Sequence, residues 1–194
     1  MGKLVVSQFI TVDGIVEDPG GSEQFTRGGW AFQFERGEDG DRFKLDELMA
    51  SEALLLGRVT FEAFAAAWPE RTDEFGFAEK FNGMPKYVVS STLTDPAWNN
   101  STVISGNIAE EITHLKRQTT GDVLVNGSVQ LVQELAEHDL VDEYRLMVFP
   151  IMLGAGKRLF GDTSHTAPLR LVDARPVGPD GVAIITYQPA GKDD

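Results

Sequence analysis

The chain has 194 residues, 42% of them hydrophobic, no cysteine, and 30 acidic against 17 basic residues for a net charge of −13. That is enough apolar mass for a single domain, residues 1–194, with one sizeable core. The missing cysteines exclude disulfides, thiolate metal sites and cysteine nucleophiles, and the scattered cations exclude the basic face that nucleic acid requires.

Alternating strand pattern begins at once in residues 3–10, KLVVSQFI, with no cleavable leader ahead of it, so the cytoplasm is the expected compartment. No apolar run approaches the length of a bilayer span, and no membrane partner is expected. Residues 11–40 follow, a polar stretch with seven glycines and a few aromatics. Helical spacing at 41–50 leads into a strand at 52–57, and a second helix pattern runs over 59–67. Residues 68–84 mix Trp68, Pro69, Phe75, Phe77 and Phe81 with charges and read as a second long loop. Loops of this length are functional or disordered, and their aromatics favour walls or lids over a pocket.

Short strands are expected at 85–90 and 101–105, a helix at 107–118, a strand at 121–125, a helix at 128–138 and a strand at 141–149. The last two strands, 168–175 and 181–188, are joined by GPDG at 178–181, a hairpin signal. Alternating strands and helices predict an α/β fold with parallel crossovers, and the terminal hairpin predicts an antiparallel end. The apolar run RLMVFPIML, residues 145–153, suits an oligomer interface or a strand buried on both faces.

Ligands of open α/β sheets bind outside the carboxyl ends of strands, where helix N-termini aim backbone N–H groups outward. Three such corners carry suitable residues. At Gly57-Arg58-Val59-Thr60, glycine permits close backbone approach, arginine offers a planar fork and threonine opens a helix; a turn with a surface arginine is the plainer alternative. Ser90-Ser91-Thr92 offers three hydroxyls to a phosphate or ribose, or caps a turn. Asn126-Gly127-Ser128-Val129-Gln130-Leu131 is a strand–glycine–helix junction able to form an anion nest, without the full GxGxxG fingerprint. His114, His138 and His165 share neither i, i+4 spacing nor a carboxylate companion, so no metal site is expected.

The segments FITVDG, LLLGRVTFE, KYVVSSTL, VLVNGSVQLVQEL and LVDEYRLMVFPIMLGAGKRLF occur in the order and spacing of the dihydrofolate reductase-like superfamily. The chain most resembles the reductase domain of the bifunctional riboflavin-biosynthesis deaminase–reductase, from residue 4 to about residue 188. The resemblance implies a three-layer fold with a mixed, mostly parallel sheet of about eight strands, NADPH as cofactor, a small-molecule substrate and a homodimer. It puts Gly57, Arg58 and Thr60 at the pyrophosphate and the adenosine 2′-phosphate, and Ser90, Ser91 and Thr92 at the 2′-phosphoribose. It puts Asn126, Gly127, Ser128, Gln130 and Leu131 on the pyrophosphate and nicotinamide side. Thr11, Asp13 and Gly14 would lie by nicotinamide and substrate, with Pro150, Leu153, Gly154 and Gly156 edging the same cleft.

Two features depart from the pattern. Without cysteines the chain cannot carry the zinc deaminase chemistry of the bifunctional enzyme, and GRVTFEAF is closer to the folate-type corner. Folate reductases also place a carboxylate on the helix before the Gly-Arg corner. Asp41, Asp46 and Glu47 are available there; spacing favours Asp41, and Asp13 is the rival proton donor. Trp30, Phe32 and Phe34 either wall a substrate pocket or pack against the core. The leading expectation is an NADPH-dependent reductase acting on a C=N or C=O of a pterin-like or ribosylaminopyrimidine-like heterocycle. A non-catalytic NADPH-binding sensor or interaction module is the alternative.

Overall fold

The computed structural model describes residues 1–164 and 166–191. Eight strands form one sheet: β1 (Leu4–Thr11), β2 (Ser51–Gly57), β3 (Lys86–Val89), β4 (Ser101–Ile104), β5 (Asp122–Asn126), β6 (Glu143–Phe149), β7 (Leu169–Val177) and β8 (Val182–Pro189). Their order is β4-β3-β2-β5-β1-β6-β8-β7. The first six are parallel; β8 runs antiparallel to β6, and β7 antiparallel to β8. The expected three-layer α/β architecture with a mixed sheet and an antiparallel carboxyl-terminal hairpin is therefore the observed one.

Strand parity sorts the core. Side chains alternate between the two faces of a strand, and β1 is buried along both. Leu4, Val6 and Ile10 pack with helices α4 (Ile108–Gln118) and α5 (Val129–Glu137) through Ile112, Leu115, Val132 and Leu135. On the other face, Val5 packs with helices α1 (Gly37–Ala50), α2 (Arg58–Ala67) and α3 (Phe77–Gly83) through Leu48, Phe61 and Phe81. Phe9 joins a third cluster on that same face, around Trp30, Phe149 and Ile184. α4 is clearly amphipathic, and Asn107 caps it by accepting from the Ala109 and Glu110 amides.

Several expectations change. Residues 68–84 are not one long loop, because Asp73 accepts from the amides of Phe75, Gly76, Phe77 and Ala78 and starts α3. Trp68 and Phe81 stack at 4.4 Å and pack with Phe64, so these rings close the core rather than form a lid. Residues 11–40 contain a short 3-10 turn at Trp30–Gln33. The run 145–153 mostly belongs to β6, whose side chains are buried or half-buried on both faces of the sheet, which accounts for its hydrophobicity without an interface.

Lys86 ties α3 to the sheet. It is 0% exposed, and its Nζ donates to the carbonyls of Phe81 (2.7 Å), Asn82 (3.1 Å) and Met84 (2.7 Å) at the end of α3, while lying 4.4 Å from the Trp98 ring centroid. These are carbonyls that a helix terminus leaves unpaired, and a cation there also suits the helix dipole. Burial pushes the Lys86 ammonium down to about 8. Lys86→Met is expected to cost about 1–3 kcal/mol in urea unfolding near neutral pH, because buried carbonyls lose their donor. Between pH 8 and the ordinary value of 10.5, the folded chain binds fewer protons than the unfolded one. Wild-type stability should therefore rise across that window, and the gap to the variant should widen.

Candidate functional site

Parallel order brings the carboxyl ends of β2, β3, β5, β1 and β6 to one rim of the sheet. Gly57 stands opposite Val89, Ser7 opposite Asn126 and Thr11 opposite Phe149. The first and third corners interlock. The Gly57 amide donates to the Ser128 hydroxyl at 2.9 Å, the Ser128 amide donates to the Thr60 hydroxyl at 2.9 Å, and the Ser128 hydroxyl donates to the Asn126 carbonyl at 3.0 Å. Gly127 and Ser128 both hold left-handed backbone, with φ of 54° and 56°. A Cβ on Gly127 would come within 2.9 Å of the Thr60 hydroxyl, so only glycine lets α5 start this close to α2. Gln8 Nε2 bonds the Gly127 carbonyl at 2.6 Å and fastens the junction to β1.

The amino-terminal ends of α2 and α5 thus open side by side, and backbone N–H groups at helix starts favour anions. Arg58 is exposed and pairs with Glu62 one turn along α2, at 3.0 Å. Ser90 is buried and its hydroxyl accepts from the Thr92 and Leu93 amides, which is the turn-capping use of that corner; Ser91 and Thr92 are exposed beside it. Leu131 is 6% exposed and belongs to the core beneath α5, so it offers a ligand no surface. Gln130, on the first turn of α5, faces a hollow of about 300 Å³ between that helix and residues 159–164, away from the interlock.

The loop after β1 is held by Asp13. Its carboxylate accepts from the Thr11 hydroxyl at 2.6 Å and from the amides of Leu153 (3.2 Å) and Gly154 (2.7 Å). The Thr11 hydroxyl itself accepts from the Ile15 amide. Gly14 donates to the Thr11 carbonyl, and its own carbonyl accepts from Leu159. Gly156 packs against Ile15 and Phe25, and Pro150 is exposed where β6 ends. The Thr11 hydroxyl first, and then the Gly154 and Leu153 amides, hold the Asp13 carboxyl below its usual range. A carboxylate so held is a clamp between two loops and a poor proton donor.

On the α1 face beside this loop lies a groove of about 360 Å³ lined by Phe9, Ala31, Phe32, Phe34, Arg36 and Asp41. Phe32 is 76% exposed and forms part of its wall. Trp30 does not: it is fully buried, edge-on to Phe149 at 5.4 Å, with its indole N–H on the Glu17 carbonyl. The core reading of Trp30 is the correct one. Asp41 faces the groove but is ion-paired to Arg36 at 2.6 Å, with 63% of its side chain exposed.

Sequence reasoning named Glu47 among three helix acids but missed the buried polar layer to which it belongs. Ser7 is 2% exposed and donates to Glu47 Oε1 at 2.8 Å; Lys44 donates to the Ser7 hydroxyl at 2.8 Å and pairs with the same Glu47 oxygen. Glu47 Oε2 is buried with no hydrogen-bond partner. Beside it, Arg145 bonds Glu143 at 2.6 Å and Asp122 at 3.2 Å. Parity could have exposed this layer, because Ser7 interrupts an apolar stripe between Val5 and Phe9. Among the described residues no group of His, Cys, Asp and Glu is arranged to hold a metal ion, and no helix is long and apolar enough to cross a membrane. His165 lies outside the described residues.

A family model described as the RibD C-terminal domain matches residues 2–183. In sequence the chain is similar to YyaP of Bacillus subtilis (strain 168), 29% identical over 188 residues, which is 95% of this chain and 94% of that protein. In structure it is similar to a Shewanella sp. PV-4 protein provisionally assigned to riboflavin biosynthesis, with TM-score 0.75, 22% identity and coverage of 97% and 99% of the two chains. Dihydrofolate reductase from Enterococcus faecalis gives TM-score 0.60 at 15% identity over 97% of each chain.

Two variants test the geometry. Gly127→Ala should cost about 1–3 kcal/mol in urea unfolding, from forced left-handed backbone and the Thr60 contact. The Asp13 contribution to stability is present above the ordinary carboxylate pKa and is lost as pH falls through the lowered, folded one. Thermal melts of Asp13→Asn should therefore lack part of the acid sensitivity that wild type shows below about pH 4.

Proposed function

The chain belongs to the RibD C-terminal domain family, and from that membership we propose that it is an NADPH-dependent reductase. It delivers hydride to a C=N or C=O of a small heterocycle of the ribosylaminopyrimidine or pterin kind. The observation that carries the cofactor assignment is Gly57. Its φ of −76° is one that any residue adopts, and an added Cβ would meet Ser128 no closer than 3.6 Å and Leu131 at 3.9 Å. Neither its backbone nor its packing within the protein calls for glycine. A pyrophosphate approaching the paired starts of α2 and α5 does call for it, since a side chain there would stand between ligand and amides.

In this reading the pyrophosphate lies along Gly57, Gly127 and Ser128, with Asn126 toward the nicotinamide. Arg58 exchanges Glu62 for the 2′-phosphate, and Ser91 and Thr92 flank the ribose. The groove at Phe9 and Phe34 takes the heterocycle, on the far side of β1 from the strands that carry the adenosine end. NADPH supplies the hydride when bound; the chain binds it, orients it and keeps water from the reacting face.

A second reading, an NADPH-binding module without turnover, is favoured by one observation. Both acids expected as proton donors are engaged, Asp13 as a clamp and Asp41 with Arg36. The proposal also includes a homodimer, and β7 is the candidate contact: it is one of the two edge strands, with Leu169, Leu171 and Val172 exposed by 37%, 54% and 47%.

Calorimetry tests the cofactor. Wild type should bind NADPH more tightly than NADH, and Arg58→Ala should cut that preference about tenfold to a hundredfold, the worth of a charge-assisted bond. Gly57→Ala should keep the wild-type melting temperature yet weaken NADPH binding. A Gly57→Ala variant that binds NADPH as wild type does would remove the basis of the assignment. NADPH oxidation dependent on 5-amino-6-(5-phosphoribosylamino)uracil or dihydrofolate separates the reductase from the module.

A further inference from the structure

The buried layer beneath the groove contains a feature that fold stability does not explain. Glu47 is 5% exposed, and one of its carboxylate oxygens has no partner. Buried polar atoms are nearly always hydrogen-bonded, so an orphan marks a place where something other than packing set the residue. The charges around it are also unbalanced. Glu47, Asp122 and Glu143 bring three carboxylates, whereas Lys44 and Arg145 bring two cations. The charge of Glu47 acts on Arg145 as well. Burial would pull the Arg145 guanidinium down, yet Glu143, Glu47 and Asp122 hold it above its ordinary value.

Lys44 is the member of this layer nearest the groove. α1 turns its residues at i, i+3 and i+4 to one side, so Gly40, Lys44 and Glu47 follow one another down the face that meets the sheet. The Lys44 Nζ reaches 5.2 Å from the ring centroid of Phe9, and Phe9 is a wall of the groove. The Arg36 guanidinium lies at the same distance from that ring but is bound to Asp41. Lys44 is held from below, by the Ser7 hydroxyl and Glu47, with 15% of its side chain still exposed. A cation fixed from beneath beside a groove is prepared to meet a bond that becomes electron-rich.

We propose that Lys44 is the proton donor of the reduction, with Glu47 and Ser7 as the residues that position it; this rests on the reductase reading above. NADPH, when bound, would supply the hydride that forms a C–H bond at the substrate carbon as the C=N or C=O π bond opens. The electron pair of that π bond goes to the heteroatom, which takes a proton from the Lys44 ammonium. NADP⁺, the reduced substrate and neutral Lys44 would result, and Lys44 would recover its proton from solvent, to which 15% of its side chain is open. The ammonium both polarises the double bond and supplies the proton, a role whose removal costs about 10²–10⁴-fold in rate. Glu47 keeps the ammonium in place during hydride transfer and touches no substrate.

The test compares wild type, Lys44→Met, Lys44→Arg, Glu47→Gln and the double variant Lys44→Met/Glu47→Gln. The double variant leaves no buried ion alone if either single one fails to fold. Each is assayed for NADPH oxidation with 5-amino-6-(5-phosphoribosylamino)uracil and with dihydrofolate, and for NADPH binding by calorimetry. Lys44→Met and the double variant should lose at least a hundredfold in kcat with NADPH affinity unchanged. Lys44→Arg should recover only a small part of the rate, because guanidinium keeps the charge that polarises the double bond but gives up its proton poorly. Glu47→Gln should lower kcat about tenfold and leave KM for NADPH alone. An active wild type whose folded Lys44→Met and double variants keep their kcat overturns the Lys44 assignment and leaves the reductase reading intact. A wild type that binds NADPH but turns over neither probe overturns the reductase reading, and this assignment falls with it.

Discussion

Two reciprocal hydrogen bonds hold the candidate site together. The Ser128 amide rests on the Thr60 hydroxyl, and the Gly57 amide rests on the Ser128 hydroxyl. They join corners about seventy residues apart and set the starts of α2 and α5 side by side. Left-handed backbone at Ser128 is costly for a residue with a side chain, and both of its polar groups offset that cost by serving the junction. With no glycine at 127 the helices would be pushed apart, because Thr60 already occupies the space a Cβ would need. The amide-lined edge offered to an anion is thus a product of packing between two helices.

The opposite arrangement holds at the groove. There the chain puts charge under apolar walls. Phe9 touches Phe149 edge-on at 5.3 Å while Arg36 and Lys44 each lie 5.2 Å from its ring. Cations over aromatic faces are stabilised when partly desolvated, so Phe9 is both a wall and a support for the charges around it. α1 spans the two apolar clusters of its face, with Phe43 against one and Leu48 in the other. Lys44 and Glu47 fill the gap between them, where Ser7 interrupts the apolar face of β1. A polar layer inside a core raises the cost of error, since each member needs its partners. The chain tolerates it next to Phe9, a wall of the groove.

Function therefore divides along the sheet. β2, β3 and β5 bring anion-suited corners, β1 brings Phe9 and the Asp13 clamp, and α1 brings charge from one face. The clamp fixes residues 11–14 to 153–154, a contact between segments about 140 residues apart. It engages both oxygens of Asp13 and leaves that residue no free oxygen to donate from. The net charge of −13 acts on an anionic ligand at long range, and the helix ends at Gly57 and Ser128 are the groups that would meet it at close range.

Local chemistry made the strands, four of the helices and the hairpin at 178–181 legible from sequence, since hydrophobic period and turn residues act over a few positions. The Gly57, Ser90 and Asn126 corners were legible for the same reason, and parallel crossovers required them to share a rim. α3 was hidden because its start depends on one aspartate collecting amides from a segment with no clear period. The use of each site residue lay further out of reach. Whether Trp30 walls a pocket or fills a core, whether Asp41 is free or paired, and whether Leu131 meets a ligand all depend on what the remote chain places against them. Glu47 reads in sequence as one acid among several on a helix. Only the sheet beneath it, with Ser7 at one position of β1 and Arg145 on the neighbouring strand, made it a buried charge with an oxygen left over. Periodicity fixes which face a residue occupies, and three-dimensional packing decides what that face meets.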